Sequence, residues 1–213
     1  MIITEITRQV KNPDRYNIFI DSEFAFGING VELLHHKLVV GMKIDQSLFD
    51  KLQNELEFAK VRDAAVGYLG YRQRSIKEMR NKLAAKEFSQ ANIDRVVDLL
   101  IKGGYLDDVQ FAAAFIGQKS KMSNQGKRKI VAELLHKGVA KDDIVAAYNQ
   151  VFDEEEKEGD LEAALRALGK KLRNRSIDDI KGDPKEVQRL MAFLARRGFS
   201  YDVVRAALKG KGL

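Results

Sequence analysis

The chain has 213 residues, a formal net charge of +6, a sequence isoelectric point near 9.3, and neither cysteine nor tryptophan. That length holds one large domain or roughly two to four small ones. The absence of cysteine excludes disulfides and thiolate chemistry and suits a reducing cytoplasm, where the protein is expected to reside. No apolar run approaches membrane-spanning length, and the N-terminal MIITEITRQV lacks a basic-then-apolar leader, so a soluble protein without a membrane partner is expected. The positive charge is unevenly placed: residues 1–60 sum to −2, 61–160 to +1 and 161–213 to +7. Such asymmetry points to a polyanion or an acidic protein as partner.

Residues 1–59 read as a small β-rich extension with a linking helix. Ile2 to Thr7, Tyr16 to Ile20 and Glu23 to Ile28 are rich in β-branched and aromatic side chains, and Asp21-Ser22 is the hairpin turn between the last two. Asn29-Gly30 reads as another turn, and Leu38 to Asp45 as a last short strand. A helix is predicted from Gln46, capped by Asp45, with Leu48, Phe49, Leu52 and Leu56 on one face.

From residue 60 onward the apolar spacing is helical and repeats. Val66/Leu69, Ile76/Met79/Leu83 and Ile93/Val96/Val97/Leu100 predict three short helices over 60–106. Ser75 with Glu78 three residues on is a capping box for the second of them. A second unit is predicted over 107–152, opened by Asp107 as N-cap, with a polar loop from Lys119 to Gly126. A third, over 153–213, starts with the acidic run Asp153 to Asp160, read as a solvated linker, and contains the cap-plus-first-turn pair Asp183-Pro184. The three align without gaps over a helix-turn-helix core. Met79, Leu83, Lys86, Phe88, Ile93 and Val97 correspond to Ile130, Leu134, Lys137, Val139, Ile144 and Tyr148, and to Leu190, Leu194, Arg197, Phe199, Val204 and Leu208. The offsets are 51 and 60 residues, the longer one absorbing extra chain before the second helix of the third unit. Gly138 and Gly198 suit a left-handed position after a helix end. Glu87 stands where the first unit should have that glycine, so its turn is expected to differ. The predicted fold is mainly α: three tandem three-helix repeats behind a small β-containing N-terminal domain.

Catalytic chemistry finds little support. His35 and His36, placed on a strand, would point to opposite faces, and His136 sits near a helix end where it complements the dipole. No metal-ligand spacing and no phosphate loop is present, and Asp107-Asp108 reads as a helix cap, so neither cofactor nor metal is expected and the chain is not read as an enzyme. The basic clusters are the candidate binding residues. Arg72, Arg74, Lys77, Arg80 and Lys82 surround the second helix of repeat one, with Lys82 spaced to pair with Glu78. Lys127, Arg128 and Lys129 open the equivalent helix of repeat two. There cations oppose the helix dipole at roughly 0.3–1 kcal/mol each, which points to an offsetting use. Lys170, Lys171, Arg173 and Arg175 close the first helix of repeat three, and Arg196-Arg197 closes its second. Base-specific duplex reading is disfavoured because the starts of the third helices hold Asp94, Asp142, Asp143 and Asp202. Sequence-neutral single-strand binding remains open, with Tyr71 as the stacking aromatic beside a basic cluster.

One family matches this pattern. Tyr68-Leu69, Arg72, Arg74-Ser75, Glu78, Leu83, Lys86 and Phe88, followed by Gly104-Tyr105-Leu106-Asp107-Asp108 and Phe111-Ala112, resemble the RecX family of recombination regulators. Gly126, Arg128, Ile130, Glu133-Leu134 and Lys137-Gly138-Val139 resemble its second-repeat signature. The resemblance is strongest over 60–150 and weakest over 1–58. It implies an elongated, curved helical array that binds the RecA recombinase, or its filament on single-stranded DNA, and inhibits its recombination and ATPase activity in DNA repair and the SOS response. It also implies no catalytic residues. A monomer is expected. The alternative is a single-stranded DNA-binding protein that excludes the recombinase by competition.

Overall fold

The computed structural model describes residues 1–152, 159–173 and 175–213. Most of the predicted acidic linker, residues 153–158, lies outside the described residues. The chain divides into two compact units, one of residues 1–68 with 83–96, the other of 69–82 with 97–213.

The first unit begins with an antiparallel meander of β1 (Ile3–Arg8), β2 (Arg15–Ile20) and β3 (Glu23–Asn29), in that spatial order. Asp21 and Ser22 both take left-handed backbone, with φ of 50° and 70°, the geometry a two-residue hairpin needs to match the strand twist. Ile3, Ile18, Ile28 and Phe26 pack with Leu38, Ile44, Leu52 and Leu56 into one core. Two expectations are corrected here. Asn29-Gly30 is no turn: the Asn29 side chain accepts from the Glu32 amide at 2.8 Å and caps α1 (Gly30–His35), so His35 and His36 lie at a helix end rather than on a strand. Residues 38–45 form no strand. Gly41, at φ +89°, turns the backbone out of the extended region, leaving a single bridge between Ile2 and Lys43.

α2 (Gln46–Tyr71) starts where predicted, its Leu48 amide donating to the Asp45 carboxylate at 2.7 Å. It runs unbroken for 26 residues, so the linking helix and the first helix of repeat one are a single element. α3 (Ile76–Ala84) and α4 (Gln90–Lys102) complete repeat one. Within the first unit the start of α4 is tied to α2: the Ser89 amide donates to Glu57 at 2.9 Å and the Asn92 amide group to Asn54 at 2.8 Å.

In the second unit, α5 (Asp108–Gly117), α6 (Lys127–His136) and α7 (Lys141–Val151) build repeat two around Phe111, Ile116, Ile130, Leu134 and Ile144. The predicted polar loop after α5 is largely a π-helical turn, Gln118–Met122, with Ser120 and Asn124 buried. α8 (Gly159–Leu172), α10 (Pro184–Arg196) and α11 (Tyr201–Lys209) build repeat three around Leu168, Leu190, Leu194, Phe199 and Leu208. The short α9 (Ile177–Lys181) occupies the extra chain of the longer offset. Asp107 and Asp183 cap α5 and α10 as their spacing predicts, and Ser200 caps α11.

The turn after the second helix is left-handed in all three repeats, at φ 60° for Glu87, 86° for Gly138 and 91° for Gly198. Glu87 thus adopts the glycine geometry, contrary to expectation. A Cβ on Gly138 would sit 2.5 Å from Lys77 Cβ, and one on Gly198 would sit 2.5 Å from the Lys129 backbone nitrogen. Those two positions therefore need glycine for space as well as for φ, whereas repeat one has no repeat before it to press on Glu87. Gly198→Ala should combine a left-handed penalty with a backbone clash, costing about 2 kcal/mol or more. Thermal unfolding followed by circular dichroism should show a melting temperature lower by roughly 5 °C or more. An unchanged melting temperature would contradict the close approach.

Candidate partner-binding surface at the repeat joints

The repeats of the second unit dock through one joint used twice. At the first joint, the Ser75 hydroxyl, at the start of α3, donates to the Lys137 carbonyl at 2.6 Å, and the Ile76 amide donates to the Asp108 carboxylate at 2.9 Å. At the second, the Gly126 amide donates to the Arg197 carbonyl at 2.9 Å, and the Lys127 amide to the Asp160 carboxylate at 2.9 Å. Ser75 and Gly126 are equivalent in the repeat alignment, as are Ile76 and Lys127, and Lys137 and Arg197. The first amides of a helix have no intrahelical acceptor and the last carbonyls no intrahelical donor. Each joint satisfies a carbonyl at the end of one helix, through the Ser75 hydroxyl at the first and the Gly126 amide at the second. Each also gives the opening amide of the other helix a carboxylate at the positive end of the dipole.

The carboxylates record their burial. Desolvation raises Asp108 above the ordinary aspartate range despite the Ile76 amide, with help from the nearby charges of Asp143, Asp107 and Glu78. Asp160 is raised by burial too, against the lowering effect of the Lys127 amide and ammonium. Burial also pushes Glu78 upward, but hydrogen bonds from Arg72 and Lys137 outweigh it and hold this carboxyl below its usual value. Glu78 meets Arg72 at 2.8 Å and Lys137 at 2.6 Å, a bridge between neighbouring repeats. The predicted pairing of Lys82 with Glu78 is replaced by these two partners.

The joints sort the basic candidates. Arg74 is buried, at 8 % exposure, and is no part of an exposed surface. Arg72 is held by Glu78, Arg80 lies 3.9 Å from Asp98, and Arg175 pairs with Glu186 at 2.5 Å. Arg197 is a clasp: its guanidinium donates to the Ser123 carbonyl at 2.9 Å and lies over the Phe193 ring at 4.9 Å. Lys127 places its ammonium 4.7 Å from the centre of the Tyr148 ring. Lys77, Lys82, Arg128, Lys129, Lys170, Lys171, Arg173 and Arg196 are exposed. The second joint gathers separate sequence clusters, because Gly126 to Lys129 docks on Arg197-Gly198, beside Arg196. Lys170, Lys171 and Arg197 line one cavity of about 250 Å³ with Phe193 and Asn124. The bridging role of Lys137 is not visible in the sequence because its partner, Glu78, is 59 residues away. Among the described residues no cluster of His, Cys, Asp or Glu could hold a metal ion, and no helix is long and apolar enough to cross a membrane.

A β-meander unit followed by three-helix repeats docked cap to turn defines a tandem helical-repeat protein. Its segments match four family descriptions: the regulatory protein RecX N-terminal domain over 1–45, and the first, second and third RecX three-helix domains over 62–100, 107–147 and 158–208. The regulatory protein RecX of Bacillus velezensis is 35% identical over 209 residues, covering 97% of this chain and 76% of that protein. The one from Clostridium botulinum is 30% identical over 207 residues, covering 97% and 94%. A crystal structure of a regulatory protein RecX shares the fold with a TM-score of 0.70 over 98% of both chains, at 24% identity. The chain belongs to the RecX family of regulatory proteins.

The raised Asp108 gives the joint a defined pH response. A carboxyl raised in the native state contributes stability fully at low pH and loses it as pH climbs through the native value. Asp108→Asn keeps the acceptor for Ile76 without the charge. Its melting temperature should exceed that of the parent at pH 7, and the gap should close as pH falls below the unfolded aspartate value of about 3.9. Asp108→Ala removes the acceptor and should cost about 1 kcal/mol at both pH values. An asparagine variant that loses as much as the alanine variant would contradict this account.

Proposed function

We propose that the protein binds the RecA recombinase on single-stranded DNA and inhibits it, without catalysis of its own, through the exposed cations that flank the second repeat joint. The observation that carries this reading is the start of α6. Arg128 and Lys129 oppose the helix dipole, are exposed, and have no ion-pair partner among the described residues. The Asp160 carboxylate compensates the helix end through the backbone, which leaves these side chains available for an outside anion. The family's name, regulatory protein RecX, supports a regulatory rather than a catalytic role. The competing reading, exclusion of the recombinase by occupying the strand, draws on Tyr71, which is exposed beside Arg72. The recombinase reading is preferred because the basic candidates surround repeat joints rather than a row of stacking aromatics.

Charge reversal tests it. The triple variant Lys127→Glu, Arg128→Glu, Lys129→Glu puts acids where the helix dipole favours them, by roughly 0.3–1 kcal/mol each, so helicity should be retained. Sedimentation with recombinase assembled on single-stranded DNA should show at least about tenfold weaker binding, the equivalent of about 1.4 kcal/mol. Unchanged binding and inhibition would remove these residues from the interface.

A further inference from the structure

Repeat two differs from its sisters in one respect that the fold does not explain. α6 and α7 enclose a groove of about 320 Å³ lined by Leu135, Ile144, Val145 and Tyr148, with Lys127 and Lys141 also in its walls. Leu135 is 38 % exposed and Val145 59 %. By the repeat offsets, Leu135 corresponds to Ala84 and Ala195, and Val145 to Asp94 and Arg205. The same three-helix unit is thus built twice with alanine and a charged residue at these places. Packing does not call for large apolar side chains there in repeat two, and leaving them in water is unfavourable.

The chemistry of the groove selects its occupant. Lys127 and Lys141 suit any anion, but a phosphate backbone would leave the aliphatic walls uncovered. The stacking face nucleobases would use is engaged, since the Lys127 ammonium lies 4.7 Å from the Tyr148 ring centre. Apolar walls with two lysines suit an apolar anchor carried between carboxylates, as on one face of an amphipathic acidic helix. The acidic side chains nearest in sequence, Asp142 and Asp143, are not among the lining residues. We infer that the α6/α7 groove of repeat two is a protein-recognition site that seats an apolar side chain from an acidic amphipathic helix of the partner. The partner's identity, the recombinase, rests on the function proposed above.

The test uses the full chain carrying Leu135→Ala and Val145→Asp, the residues that repeat one holds at these positions. In a first arm, methyl NMR of the full chain follows titration with a synthetic amphipathic helix of leucines and glutamates, and with its lysine counterpart. The acidic peptide should shift the Ile144 methyl saturably, and affinity should fall at least about tenfold for the double variant and for the lysine peptide. No saturable shift, equal response to both peptides, or an unaffected variant would overturn the inference. In a second arm, sedimentation with the recombinase on single-stranded DNA should show a loss of similar size. A variant that binds this filament as the parent does overturns the assignment of the groove to it. A parent chain that ignores the filament but still takes the acidic peptide supports the groove and refutes the proposed function. Should the double variant unfold, Val145→Asp alone, at the exposed position, carries both arms.

Discussion

The amides of Ile76 and Lys127 open their helices and have no acceptor within them. Both are satisfied by a carboxylate from the next repeat, Asp108 for one and Asp160 for the other. Much of the second unit's organisation follows from this. For Asp108 to reach Ile76, α5 must begin beside the start of α3. The turn after α6 is then brought against that same start, where Ser75 takes up the Lys137 carbonyl and Gly138 leaves room for Lys77. The second joint repeats the arrangement with Gly126, Arg197 and Gly198. A helix pair buries little by itself, and repeat arrays gain stability from their interfaces. Here part of each interface is polar and directional, which sets the register between neighbours more sharply than apolar contact alone would.

The same joints account for where the cations end up. A cation at the end of a helix is favoured by the dipole, and one at the start is disfavoured. Because the end of one second helix docks on the start of another, basic residues from both places converge: Arg196-Arg197 on Lys127 to Lys129, and Lys137 on Arg72 to Lys77. Some are then consumed internally, Lys137 and Arg72 by Glu78, and Arg197 by the Ser123 carbonyl. Those left exposed combine sequence-distant charges on the second unit.

Much of the helical framework was legible in the sequence, because helix periodicity and capping are local. Asp45, Asp107 and Asp183 act within three residues of themselves, and their spacing announces them. Asp108 and Asp160 act across 32 and 33 residues, so no spacing rule reveals them, and Asp108 read as part of its own helix cap. Asn29-Gly30 misled for a related reason: the asparagine side chain that favours turns also caps helices, and the deciding Glu32 amide is set by the fold. The apolar run from Leu38 to Ile44 has strand composition, yet Gly41 bends it into a packed loop. Among the basic candidates, sequence identified the clusters but not their fates. Burial of Arg74 and clasping by Arg197 depend on neighbours far along the chain.

The central claim is that this protein suppresses the recombinase by acting on its filament. The most direct measurement is the single-strand-dependent ATPase of RecA, titrated with the full chain at limiting DNA and again at large DNA excess. The account predicts inhibition below one protein per recombinase that survives the excess of DNA. Inhibition that excess DNA relieves would contradict it in favour of competition for the strand, and no inhibition in either regime would contradict it outright.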